Sequence, residues 1–151
     1  MHMKKRYQAK FLILALIPLF LSCDQRKSNE HLFSEVRMES NVQFENNLTY
    51  TETLNPYTYR NFYNGAGVAV GDINNDGLPD IYFAGNQVDN KLYLNEGDFQ
   101  FWDITTEAGV ACKEVWSTGV TMVDINADGW LDIYVCKSGD PNTPRRYNEL
   151  F

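Results

Sequence analysis

The sequence predicts an all-β chain built of four-stranded antiparallel units, on three observations. Past residue 32 no stretch shows helical periodicity. Short runs of aromatic, β-branched or alternating apolar residues recur instead, each closed by Gly, Asn or Asp. An acidic segment is also written twice, as DINNDGLPDIY at Asp72 to Tyr82 and DINADGWLDIY at Asp124 to Tyr134, 52 residues apart.

The first unit gives four strands in order. They are Gly67 to Gly71 (GVAVG), Ile81 to Ala84 (IYFA), Lys91 to Leu94 (KLYL) and Phe99 to Ile104 (FQFWDI). Asn95-Glu96-Gly97-Asp98 between the last two is a hairpin turn signal. The second unit repeats the pattern. Gly67-Val68 matches Gly119-Val120, and Ile81-Tyr82 matches Ile133-Tyr134. Asn90 to Leu92 (NKL) matches Asn148 to Leu150 (NEL) at a spacing of 58, so the second turn between strands 2 and 3 is six residues longer. A further echo lies upstream, where Phe33, Glu35, Val36, Glu39 and Val42 match Phe101, Asp103, Ile104, Glu107 and Val110 at a spacing of 68. It places a lone fourth strand ahead of the first full unit. A four-stranded repeat of about 50–60 residues is the sequence signature of a β-propeller blade. Propellers hold about four to eight blades, and fewer than two are present here. The expectation is an incomplete set of blades, the N-terminal piece of a longer protein, truncated within the second repeat.

The N-terminus carries a different signal. Lys4, Lys5, Arg6 and Lys10 precede the apolar run Phe11 to Leu21, which ends at Ser22-Cys23. Eleven residues are too few to span a bilayer, which takes about 20, but suit a secretory signal. The order charge, apolar run, small residue, cysteine resembles a bacterial lipobox, with Phe20 where Leu is most common. Residues 1–22 are expected to be a lipoprotein signal peptide, Cys23 the lipidated first residue, 23–32 a polar tether and 33–151 the repeats. An ordinary signal peptide with a chance Cys, or an uncleaved anchor, is the alternative. Lipid at Cys23 would hold the protein on a membrane, so the expected location is the outer membrane or cell surface of a bacterium.

Charge narrows the partners. The chain carries a net −7. Residues 1–22 hold four of the thirteen basic residues and none of the twenty acids, so the remainder stands at −11. A nucleic-acid binder wants a basic face. An acidic chain suits cations or display in water. Outside the cytoplasm Cys112 and Cys136 can form a disulfide, or they can stay buried free thiols.

Six of the twenty acids lie in the repeated loops. Counted from the first acid, positions 1, 3, 5, 7 and 9 are Asp72, Asn74, Asp76, Leu78 and Asp80, then Asp124, Asn126, Asp128, Trp130 and Asp132. Gly77 and Gly129 stand at position 6. Alternate oxygen ligands around a glycine bend describe a chain wrapped on a hard cation. Three carboxylates, one side-chain amide and the carbonyl of residue 7 supply most of the six to eight oxygens that calcium takes. Zinc and copper would want softer donors. An EF-hand would place Glu at position 12, but Phe83 and Val135 stand there and strands flank the loop. A plain Asp-Gly turn would not need acids at 1, 5 and 9 in both copies.

Taken with their flanks, these loops resemble the FG-GAP/VCBS repeats of integrin α-subunit propellers. Gly65 to Asn86 and Trp116 to Val135 are more closely similar to the bacterial relatives of cartilage acidic protein, a group often carrying an ASPIC/UnbV domain downstream. That resemblance implies a propeller of about seven or eight blades, secreted or surface-exposed, with calcium in the blade loops. The first functional hypothesis is a non-catalytic surface module binding a protein or carbohydrate. The alternative is a calcium-dependent extracellular glycan-active enzyme of which this is the N-terminal fragment. The chain offers few catalytic groups, since His2 and His31 lie in the signal and tether. Tyr50, Tyr57, Tyr59, Phe62 and Tyr63 either pack between blades or form a stacking platform for sugars.

Overall fold

The structure, a computed structural model, describes residues 32, 33, 35, 40–138 and 147–151. The chain divides into two compact units, Met1–Glu35 and Val36–Phe151, and the strands described below lie in the second. The expected signal segment, Cys23 and nearly all of the expected tether fall outside the described residues. Among those described, no helix is long and apolar enough to cross a membrane.

Among the described residues, seven strands make two antiparallel sheets. The first has the order β1-β2-β3-β4, with β1 at Val68–Gly71, β2 at Asp80–Phe83, β3 at Lys91–Asn95 and β4 at Phe101–Asp103. The second has the order β5-β6-β7, at Ser117–Val123, Asp132–Lys137 and Glu149–Leu150. This is an all-β architecture of blade-like units, one with four strands and one with three. The registers follow the repeat: Gly71 faces Asp80 across the first acidic loop, and Val123 faces Asp132 across the second.

Side-chain size explains how the sheets meet. On β1 the large Val68 and Val70 point outward, more than half exposed, while Ala69 is buried. Gly67, Ala69 and Gly71 share the opposite face. A Cβ on Gly67 would sit 2.8 Å from the Val120 nitrogen. Bare backbone there lets β1 lie close against β5. Behind this contact Tyr82 and Leu92 of the first sheet join Ile133 and Val135 of the second, with Val110, in one apolar core. Tyr82 is fully buried and satisfies its hydroxyl twice, donating to the Val110 carbonyl at 2.6 Å and accepting from Asn90 Nδ2 at 2.9 Å.

Four expectations change. The fourth strand starts at Phe101 rather than Phe99, because Asp98 and Phe99 take left-handed φ of 50° and 58° in the turn. One helical turn, α1 at Thr105–Ala108, follows β4 and ends on left-handed Gly109; a single turn is too short to leave a periodic pattern. Phe33 and Glu35 lie outside any strand, with Phe33 89% exposed, so the lone upstream strand is not formed at these residues. Strand structure needs a neighbour to take its backbone groups. Finally, Cys112 and Cys136 are free thiols. Cys112 Sγ instead donates to Glu149 Oε2 at 2.9 Å, the oxygen that Lys137 Nζ approaches at 2.6 Å.

The aromatic run splits. Tyr59 and Phe62 are buried with Trp116, at centroid distances of 5.1 Å and 5.5 Å. Tyr50, Tyr57 and Tyr63 are exposed.

Candidate functional site: two matched acidic loops

Each acidic loop joins the first two strands of its sheet. In the first, Asp72 reaches across the bend, accepting the Asp76 amide at 3.0 Å and the Gly77 amide at 2.8 Å on separate oxygens. Asn74 Oδ1 also accepts from the Asp76 amide, and Asn74 Nδ2 donates to Asp76 Oδ2 at 2.8 Å. Asp76 Oδ1 takes the Leu78 amide at 2.8 Å. Asp80 Oδ2 takes the Ile73 amide at 2.9 Å.

The second loop repeats every one of these bonds. Asp124 accepts the Asp128 and Gly129 amides at 3.1 and 2.9 Å. Asn126 accepts from the Asp128 amide and donates to Asp128 Oδ2, both at 2.9 Å. Asp128 takes the Trp130 amide at 2.8 Å and Asp132 the Ile125 amide at 2.9 Å. The backbone repeats as well. Position 4 is left-handed in both, at Asn75 (φ 58°) and Ala127 (φ 61°), and so is position 6, at Gly77 (88°) and Gly129 (90°). Glycine at 6 is therefore a conformational requirement.

The loops also touch. Asn75 Nδ2 donates to the Gly129 carbonyl at 3.0 Å. No repeat spacing marks this link, since it joins position 4 of one copy to position 6 of the other.

Electrostatics differ by depth. Asp80 is fully buried. Burial raises its pKa above the ordinary carboxylate value, the Asn95 and Ile73 amides work against this, and the charges of Asp76 and Asp72 add to the rise. Asp128, out in water, is lowered by the Trp130 amide and the Asn126 side chain. Among the described residues no three His, Cys, Asp or Glu side chains are gathered into a metal cage. The carboxylates are instead anchored on loop amides. A carboxylate has about four lone-pair sites, so each amide bond leaves others to offer. The side-chain donors are all oxygen apart from the two Asn amide nitrogens, a set suited to a hard cation.

The match to known repeats follows these loops closely. A family profile described as FG-GAP-like repeat covers residues 72–135, from the first acid of the first loop to the strand beyond the second. The chain carries an FG-GAP-like repeat. Three curated proteins align to it. Cartilage acidic protein 1 of Xenopus tropicalis is 38% identical over 93 residues, covering 62% of this chain and 13% of that protein. The proteins of the same name from Homo sapiens and Mus musculus are 37% and 35% identical over 82 residues, each covering 54% of this chain and 12% of theirs. The chain thus spans a small fraction of the relatives it matches. No solved structure matches it.

The two sheets share a second recurring device, which the spacing of Asn90 and Asn148 marked without revealing its use. Asn90 Oδ1 accepts the Gly85 amide and its Nδ2 donates to the Tyr82 hydroxyl. Asn148 Oδ1 accepts the Lys137 amide, and its Nδ2 donates to the Tyr134 hydroxyl at 2.7 Å. Each Asn fastens the third strand of its sheet to the end of the second.

Proposed function

We propose that the chain belongs to a calcium-stabilised, non-catalytic FG-GAP-type binding module for a protein or glycan, exported and carried on a membrane by lipid at Cys23. The observation that supports it is the loop pair. Two segments of different sequence keep the same acids, the same amide contacts and the same left-handed positions. Asp72, Asn74, Asp76, Asp80 and the Leu78 carbonyl would hold one ion. Asp124, Asn126, Asp128, Asp132 and the Trp130 carbonyl would hold the other.

A bound calcium would supply positive charge against three carboxylates per loop. The chain's own residues do the rest. Asp72 and Asp124 fold the bend by accepting the amides of positions 5 and 6, and Asp80 and Asp132 pull the loop back onto its strand. A stiffened loop fixes the register of β1 with β2 and of β5 with β6. The acids serve this geometry, so the reading assigns none of them to catalysis.

Extracellular calcium modules bind at roughly 10⁻⁴–10⁻³ M. Ligand binding to the folded state adds stability in proportion to RT ln(1 + [L]/Kd). Titration calorimetry on the full chain should therefore show millimolar-range uptake, and chelator should lower Tm. Absence of both would sink the calcium reading. Labelled palmitate should enter the wild-type protein and not Cys23→Ala; equal labelling would reject the anchor.

A further inference from the structure

We infer that two open sheet faces dock a second copy of this chain, head to tail, so that the sheets of several copies close one ring. The inference goes beyond the binding-module reading and uses neither calcium nor lipid.

The contact between the two sheets supplies the template. It joins the small-residue face of the first sheet, where Gly67, Ala69 and Gly71 stand, to the large-residue face of the second, where Val120 and Met122 stand. Each sheet carries both kinds of face. At the 52-residue spacing of the repeat, Val68 and Val70 hold the places of Val120 and Met122, and Gly119 and Val123 hold those of Gly67 and Gly71. One face of each kind is used inside the chain, and one of each is left open. On the first sheet Val68 and Val70 are 57% and 62% exposed. On the second, Ile125 and Leu150 are each 54% exposed, while their counterparts Ile73 and Leu92 pack in the core between the sheets. Apolar side chains gathered on open sheet faces mark an interaction surface.

The occupant follows from the template, because the mate of each open face is the other open face. The two lie on opposite sides of the packed pair of sheets, so one copy's face meets the next copy's. Unlike patches in contact make a heterologous interface, which becomes a ring when its rotation closes. Rings of such sheets hold about four to eight. Each chain brings two sheets, so about two to four copies complete a ring. Phe44 stacks on Phe83 at 5.0 Å and covers part of the first sheet's open face, leaving β1 clear. The contact is therefore β5 of one copy against β1 of the next. Thr121 and Val123 stand where Ala69 and Gly71 do, so these strands lie farther apart than β1 and β5 within a chain.

The test uses the full chain in detergent solution. Light scattering should find a discrete assembly of about two to four copies. Val70→Asp, at an exposed position, should lower the assembled fraction by about tenfold or more, since docking would bury an unpaired carboxylate, and should leave the β-sheet circular dichroism unchanged. A cross-link reads the pairing directly. A Cβ on Gly71 would stand 3.3 Å from the Met122 Cβ. Val123 and Val70 hold the matching places between copies, and a slight widening brings them to disulfide range. Chains carrying Val70→Cys, mixed with chains carrying Val123→Cys and oxidised, should yield one peptide pair linked through these two positions. Chains carrying Val70→Cys alone should yield no link at that position. A wild-type monomer at the highest soluble concentration, an assembly unchanged by Val70→Asp, or growth into open filaments would overturn the proposal. A link between two copies of position 70 would overturn it as well, since that pairing is like to like.

Discussion

Asp80 accepts the backbone N–H of Asn95 at 2.8 Å, and so ties the first acidic loop to the third strand of its sheet. Its other oxygen holds the Ile73 amide, so one buried side chain joins the loop, β2 and β3. Asp132 in the second loop is only partly buried, and its contact with the Ile125 amide is exposed to water.

That difference in depth orders two substitutions. Asp80→Ala leaves the Asn95 and Ile73 amides without their acceptor, at roughly 1–3 kcal/mol for each buried group. Asp132→Ala lets water take the Ile125 amide and should cost clearly less. Urea unfolding of the two variants in chelator, where no calcium contributes, gives the comparison. Equal losses would show that depth is not what matters.

Calcium stoichiometry gives a second test. Asp76→Ala and Asp128→Ala should each lower calorimetric uptake by one ion and remove part of the calcium-dependent rise in Tm. Unchanged uptake in both would mean that position 5 is only a turn residue.

Glycine at the inter-sheet contact gives a third. Gly67→Ala places a Cβ 2.8 Å from the Val120 nitrogen and 2.9 Å from the Gly119 Cα, both backbone atoms that cannot swing aside. Overpacking of this kind costs typically about 1–3 kcal/mol. Gly119→Ala meets only the Cys136 Cβ at 3.7 Å, an ordinary contact, and should be tolerated. Thermal melts of the two variants should differ accordingly.

Cysteine chemistry gives a fourth. Burial, with the Glu149 carboxylate accepting its S–H, pushes the Cys112 thiol up to about 12. Alkylation of Cys112 by iodoacetamide at pH 8 should be slow in the native protein and fast once it is unfolded. Mass spectrometry of unreduced protein should find Cys112 and Cys136 both modified after unfolding. A pair that resists alkylation without reductant would restore the disulfide.

The last test concerns pH. Lys91 Nζ lies 2.7 Å from Asp103 Oδ2. Burial alone would raise the Asp103 pKa, but the Lys91 ammonium and the Thr105 hydroxyl and amide outweigh it and hold the carboxyl below its ordinary value. A depressed folded pKa contributes stability above the unfolded value of about 3.9, lost as pH falls through the folded one. Asp103→Asn should therefore lose less stability than wild type between pH 5 and pH 2.5, as read by denaturant midpoints.

What the sequence disclosed and what it withheld divide along one line. Contacts within a repeat were legible, because they recur at fixed spacing: the four strands, the glycine bend and the acids at positions 1, 5 and 9. Contacts between repeats, and contacts made in one repeat alone, were not. The Asn75–Gly129 bond, the Asp80–Asn95 bond and the packing of Trp116 on Tyr59 and Phe62 each join residues that share no pattern. For Cys112 and Cys136 the sequence left a disulfide and two free thiols both open, and the carboxylate that engages Cys112 lies 37 residues away. The exposed and buried members of the tyrosine-rich run are chemically alike, so only the fold could sort them.

The Asn75 link has a direction. Position 4 of the first loop sends a side chain to position 6 of the second, but position 4 of the second loop is Ala127, which has no amide to send onward. The two duplicated loops share a backbone and differ in rank: one grips, the other is gripped. Exchanging their sequences would keep both bends and lose the grip. Duplication, then, produced two copies of one shape, and a single side chain separates their roles.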